Sequence, residues 1–331
     1  MFKVWKPGFL TTIQDLGRTG FQKDGFIVSG AIDPFSLRIA NILVGNSEQE
    51  AGLEITLQGP TLSVEEDTVI AITGGDLTPM IQNNPLPMWR PIFVPKGSLI
   101  EWGGCKTGCR AYLSVAGGLS VPKVLGSKST YLRAGIGGFE GRGIKKGDTL
   151  FIEEKPEHPL LSVFDKDYAD FSTVSWQASP PYDFANKKTK TVRVLPGVHY
   201  SQFTNESLDA FFQESFQVHT QSDRMGYRLH GPLLERRQKD EILSEAVTLG
   251  TVQVPADGNP VILLADRQTT GGYPRIAQVI SVDISVVAQT KPGEQLHFKA
   301  VTWGEAESLY VDRQIDVHSI KSSTYEKLRQ V

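Results

Sequence analysis

Asp266-Arg267-Gln268-Thr269-Thr270-Gly271-Gly272-Tyr273-Pro274 sets a carboxylate, a guanidinium, an amide and two hydroxyls directly after the apolar run Val261-Ile262-Leu263-Leu264-Ala265. Arginine binds a carboxylate bidentately, and glycines let backbone N–H groups come close to a ligand. The stretch therefore suits a small carboxylate or amide, or else a well hydrogen-bonded turn at the end of a buried strand. A second cluster lies in Thr12-Ile13-Gln14-Asp15-Leu16-Gly17-Arg18-Thr19-Gly20, followed by Ser29-Gly30-Ala31-Ile32-Asp33-Pro34. The latter leads into a helix whose first amides could take an anion. The structural alternative there is an Asp15–Arg18 ion pair and a helix cap at Asp33. A third cluster is Asp223-Arg224-Met225-Gly226-Tyr227-Arg228, and Glu54 stands between apolar neighbours in Leu53-Glu54-Ile55-Thr56. A buried charge must be paired, so Arg224 and Glu54 read equally as structural or as ligand-facing.

Other chemistries fail on spacing. The glycine- and hydroxyl-rich run from Gly126 to Arg142 lacks a lysine directly after a glycine, so it is no P-loop, and it has no βαβ context for a dinucleotide. Cys105 and Cys109 are the only cysteines, and the six histidines show no ligand spacing, so no metal site is expected. No G-x-S-x-G elbow or H-E-x-x-H helix occurs. None of Met1, Met80, Met88 and Met225 is followed by lysine, so biotin is not expected on this chain. A net charge of -3 over 331 residues argues against nucleic acid or an anionic membrane as the main partner. No apolar stretch approaches a membrane span and the N-terminus lacks a signal core, so a soluble cytoplasmic protein is expected.

The elements that must position these residues read as mostly β. Thirty-two glycines and 19 prolines punctuate short apolar runs. Strands are expected at 68–73, 92–94, 99–102, 110–115, 191–195, 279–282 and 295–298. Helices should be few and short. One starts at Asp33-Pro34, an N-cap followed by proline at the first helical position, and stops at Gly45-Asn46. A second covers 205–212 after Thr204.

The 331 residues allow two domains. The proline-bearing stretch 156–189 reads as a linker or surface excursion between subdomains 1–155 and 190–331. Weak matches recur in the same order in both halves: 57–62 with 229–234, 69–72 with 261–264, and 95–99 with 291–296. They suggest a duplicated β unit, in which Gly74-Gly75-Asp76 takes the place of the Asp266 turn.

Taken together, the motifs at 12–18, 29–34, 53–56, Leu132-Arg133-Ala134-Gly135-Ile136-Gly137-Gly138 and 264–274 resemble the carboxyltransferase A/B family. The resemblance implies two tandem cyclophilin-like β-barrel subdomains. It implies a KipI-like B-type subunit and a third 5-oxoprolinase subunit as partners, with ATP driving the opening of 5-oxoproline to glutamate. Which of the subunits holds ATP is left open. Alternative roles within the family are antagonism of a KipI-like kinase inhibitor in sporulation, and a urea carboxylase or allophanate pathway component. On this reading Asp266, Gln268 and Thr269 are catalytic candidates, with Asp266 orienting Arg267 or handling a proton. Arg267, Thr270, Gly271, Gly272, Gln14, Asp15, Arg18, Ser29 and Arg224 are substrate-binding candidates.

Overall fold

A computed structural model describes residues 1–153, 159, 161, 170–180, 188–238 and 240–330. The chain divides into two compact units, one of 1–18, 29–185 and 315–331, the other of 19–28 and 186–314.

The first unit is built on two six-stranded sheets. In one, Phe2–Lys6 lies between Thr149–Leu150 and Thr61–Val64, and the order continues through Leu99–Trp102, Pro79–Ile81 and Asn84–Pro85. In the other the order is Ser172–Thr173, Pro91–Val94, Thr68–Asp76, Thr107–Val115, Gly52–Thr56 and Leu10–Gln14. Alternation along the strands decides what each face carries. Ile13, Leu53, Ile55, Ile70, Ile72 and Leu113 point to one side and share a core with Phe2, Val4, Leu62 and Ile100 of the first sheet. The opposite side of the second sheet presents Gln14, Thr12, Glu54, Tyr112 and Thr73, because Thr12 is paired with Glu54, Glu54 with Tyr112, and Tyr112 with Thr73.

That polar side is covered by the helix Pro34–Leu43. Asp33 caps it, accepting from the Ser36 amide at 3.2 Å and the Ser36 hydroxyl at 2.7 Å, and Pro34 starts it without wasting an amide. Phe35, Ile39, Ile42 and Leu43 bury one face against Val69 and Ala71. The Ser36 carbonyl accepts from Thr73 Oγ1 at 2.7 Å.

The second unit holds a closed seven-stranded barrel, ordered Thr189–Pro196, Arg275–Val279, Thr251–Gln253, Val261–Leu263, Gly226–His230, Ser215–Val218 and Gln295–Ala300. The seam between the last of these and the first is the only parallel pair among the described residues of the barrel. Closure leaves no open sheet edge. Phe211, from the helix Asn205–Gln213 capped by Thr204, stacks on Phe298 at 4.4 Å between centroids and packs against Phe216. A two-stranded ribbon of Glu245–Ala246 and Thr270–Gly271 stands apart from the barrel.

The mostly β fold and both short helices agree with the sequence reading. Three local features differ from it. Val279 ends its strand, and Ser281–Asp283 turn into a 3-10 helix because Asp283 is drawn to Arg193, accepting from its amide and guanidinium at 2.6 to 2.9 Å. Gly74–Asp76 continue the strand Thr68–Asp76, so no turn there corresponds to the one at Asp266. Finally, Trp303–Arg329 form a 27-residue helix among otherwise short ones.

Candidate functional site

The candidate residues fall into two groups, one in each unit. In the first, Asp15 is 7% exposed and its carboxylate collects four donors: the Gly17 amide at 2.7 Å, the Lys128 amide at 2.6 Å, and the Ser127 and Ser129 hydroxyls at 2.7 and 2.5 Å. The Thr130 amide and hydroxyl both donate to the Ile13 carbonyl, each at 2.9 Å. The loop 127–130 is thereby stitched along Ile13 to Asp15. Arg18, also buried, donates to the Ser129 carbonyl. Gly137 (φ +69°) closes over this point: a Cβ there would lie 2.1 Å from the Ser129 carbonyl oxygen and 2.9 Å from Arg18 Nη2, so only glycine fits.

The turn 29–33 is seated on the same loop, through the Ala31 amide on the Asp15 carbonyl at 2.9 Å. Glu54 holds its other end, accepting from the Ile32 amide at 2.9 Å and the Tyr112 hydroxyl at 2.8 Å, while that hydroxyl accepts from the Asp33 amide at 2.8 Å. Burial, with Glu54 and Asp33 close by, pushes the Tyr112 phenol well above its ordinary range. Gln14 donates to Thr12 Oγ1 and the Thr130 carbonyl at 3.0 and 3.2 Å. Its Oε1 and the Ser29 hydroxyl are buried with no hydrogen-bond partner among the described residues. Ser29 also holds a left-handed φ of +55°, an uncommon and costly conformation for a residue with a side chain.

In the second unit the chain leaves the strand Val261–Leu263 and turns at Asp266. The Asp266 amide donates to the Arg224 carbonyl at 2.9 Å, and its carboxylate chelates the Arg224 guanidinium at 3.0 and 3.1 Å. The Asp266 carboxylate thus faces Arg224, the residue 42 positions earlier in the chain. Arg267 instead donates to two backbone carbonyls, Leu264 at 3.2 Å and Val247 at 3.4 Å. It is half-buried and makes no ion pair among the described residues, and burial pulls its guanidinium below the ordinary value.

Gln268 beside it is exposed. Thr269 accepts from the Val247 amide at 3.1 Å, and Thr270 and Gly271 pair with Ala246 and Glu245 in the ribbon. A Cβ at Gly271 would meet the terminal Nε2 of the Gln253 side chain at 2.6 Å. Gly272 is looser, its nearest neighbour being the Ile242 carbonyl oxygen at 3.2 Å. Arg275 fastens the ribbon to the barrel through Glu245 and the Ala246 carbonyl, and its amide donates to His199 Nδ1 at 3.2 Å.

The family model for the carboxyltransferase domain, subdomain A and B, matches residues 24–300. The chain belongs to this family. Within it, the carboxyltransferase-family chain is 39% identical to the C-type subunit of 5-oxoprolinase from Escherichia coli over 315 residues, covering 95% of this chain and 96% of that one. Its counterpart in Haemophilus influenzae is 37% identical, with 96% of each covered. Among solved structures, the Kluyveromyces lactis urea carboxylase matches at a TM-score of 0.87 and 31% identity, covering 98% of this chain and 29% of that one. The urea amidolyase of the same yeast matches at 0.86 and 33%, covering 96% of this chain but only 20% of its own length.

Four of the five family motifs, at 12–18, 29–34, 53–56 and 132–138, thus meet in the first unit of the chain, and the fifth lies in the second unit. The partners that hold them escaped the sequence reading. Ser127 and Ser129 are separated from Asp15 by over a hundred residues, and Tyr112 gave no local sign that it would meet Glu54. For Arg224 a signal existed: a charged residue between apolar strands must find a counter-charge, and Asp266 follows another such strand. Among the described residues no group of acids, histidines and cysteines is arranged to hold a metal, and no helix is long and apolar enough to cross a membrane.

Proposed function

We propose that the chain is the C-type subunit of an ATP-dependent 5-oxoprolinase, working with a KipI-like B-type subunit and a third subunit to open 5-oxoproline to L-glutamate. The observation that carries this reading is Arg267, a half-buried guanidinium without an acidic partner among the described residues, at a turn fixed by a buried ion pair. Such a group answers the carboxylate of a small acid, and burial strengthens the attraction. Gln268 and Thr269 follow at once and would hydrogen-bond the lactam amide. The lactam is a stable amide, so ATP is consumed to activate its carbonyl oxygen before water adds and the C–N bond breaks. The end-to-end match to the C-type subunit of 5-oxoprolinase favours this role over that of a urea carboxylase component, which the chain matches over a fraction of the larger protein.

The reading is tested by purifying the chain with its two partners and measuring glutamate release from 5-oxoproline and ATP. Urea with bicarbonate serves as the competing substrate. Arg267→Ala is expected to raise KM for 5-oxoproline; an unchanged KM removes Arg267 from the site, and turnover of urea alone overturns the assignment.

A further inference from the structure

Gln253 ends the barrel strand Thr251–Gln253 and is 4% exposed, yet its amide is largely unpaired. Nε2 lies 3.4 Å from the Tyr273 carbonyl, longer than the usual hydrogen bond, and Oε1 accepts none among the described residues. Buried side-chain amides are normally paired, so an acceptor left over at such a position calls for a reason. The amide lies against Gly271 of the ribbon. The point at which a Cβ would stand on Gly271 is 2.6 Å from Nε2 and 3.4 Å from Oε1, so both ends of the amide face a space that a side chain there would occupy. Thr270 and Gly272 on either side are exposed, which brings that space within one residue of solvent.

Arg267 meets the same ribbon two rungs away. Its Nε donates to the Val247 carbonyl, the Val247 amide donates to Thr269, and Gly271 pairs with Glu245. Two residues along a strand span about 7 Å. A guanidinium and a carboxamide therefore mark the two ends of a short polar seam where ribbon and barrel meet, all within the second unit. The two ends fit one small ring. A lactam is a cis amide whose N–H and C=O leave from the same edge, whereas in a trans peptide they point apart. A primary carboxamide offers the matching edge, so two hydrogen bonds close together: lactam N–H to Oε1, and Nε2–H to the lactam oxygen. In 5-oxoproline the carboxylate sits on the ring carbon next to that nitrogen, and a hydrogen bond of about 3 Å at each end lets the molecule bridge the seam. The second lone pair of the lactam oxygen stays open to Gln268 or Thr269.

We propose that Gln253 reads the cis-amide edge of the substrate and sets the preference for a cyclic amide over a cyclic ester of the same shape. This assignment rests on the lactam-opening role proposed above. A site that hydrogen-bonds an N–H rejects the analogue lacking it, because the buried acceptor is then left unpaired. Ring opening removes the shared edge, since the nitrogen and the new carboxylate of glutamate are no longer held side by side, and the product loses its grip on Gln253.

The complex assembled with its partners is assayed for glutamate release from 5-oxoproline and ATP, with the lactone analogue, a ring oxygen in place of N–H, as competitor. The wild type is expected to bind the lactone about tenfold or more weakly than 5-oxoproline. Gln253→Ala, and Gln253→Met, which keeps the volume, should each raise KM for 5-oxoproline about tenfold while moving the inhibition constant of the lactone by less than about twofold. A general distortion of the site would weaken both ligands together. Should either variant fail to assemble, the comparison of lactam with lactone in the wild type still decides. A wild type that releases no glutamate from 5-oxoproline overturns the lactam-opening role and this assignment with it. Turnover of 5-oxoproline combined with a lactone that binds as tightly as the lactam, an unmoved KM in the variants, or equal losses for both ligands would overturn the role of Gln253 alone.

Discussion

Asp266 and Arg224 form a two-pronged ion pair at 3.0 and 3.1 Å, with both side chains about 5% exposed, and Asp266 also donates its amide to the Arg224 carbonyl. Two segments are locked together at the point where Arg267 emerges. A buried pair of this kind adds little over apolar residues of the same shape, but losing one partner strands the other charge. Asp266→Ala or Arg224→Ala should therefore cost roughly 3–5 kcal/mol, measured by urea denaturation. Gln268→Ala, at an exposed position, should change stability by less than about 0.5 kcal/mol while lowering turnover in the assembled complex.

The Asp15 carboxylate is the knot of the first unit's loop, with four donors converging on it. Asp15→Ala should leave two backbone amides and two hydroxyls without an acceptor and destabilise the unit by about 3 kcal/mol. Hydrogen exchange should show the loss first at the amides of Lys128 and Gly17.

Tyr112→Phe removes one oxygen but two hydrogen bonds, to Glu54 and from the Asp33 amide. A cost of about 1–3 kcal/mol is expected from the polar groups left buried. In the wild type, burial keeps this phenol protonated, so ultraviolet titration should find one tyrosine that resists ionisation until the protein unfolds.

His199 ties stability to pH. Burial, then the nearby Arg275 and Arg236, lower its pKa from the ordinary 6.5, against an opposing pull from Glu245. The unfolded chain then takes up this proton before the folded one does. Stability should fall as pH drops below about 6.5 and level off once the folded histidine is also protonated. Protonation at Nδ1 would also remove the acceptor for the Arg275 amide, loosening the ribbon. His199→Gln should flatten this part of a melting-temperature profile between pH 7 and pH 5.

What could be read in the sequence was local. Asp33-Pro34 announced a helix because a cap and a proline act within one turn, and Leu99–Trp102 stood out as a short apolar run between turn residues. The C-terminal helix was not anticipated because its apolar residues are scattered around it, some buried and others exposed, so no single stripe emerges over Trp303–Arg329. At the site, Arg267 could be singled out from its neighbours, whereas the pairing of Asp266 with Arg224, 42 residues earlier, was signalled only by the need of each buried charge for a counter-charge. Side-chain pairing across a sheet depends on register, and register is settled only when the whole sheet closes.

The parallel seam of the barrel joins Thr189–Pro196 to Gln295–Ala300, strands whose partners lie about a hundred residues apart. On a ribosome the second unit therefore cannot complete itself while its chain is growing. The strand that opens it must wait, with one edge unpaired, until residue 300 has been made. A chain truncated before Gln295 would carry that exposed edge permanently, and its fate should be aggregation rather than a smaller barrel.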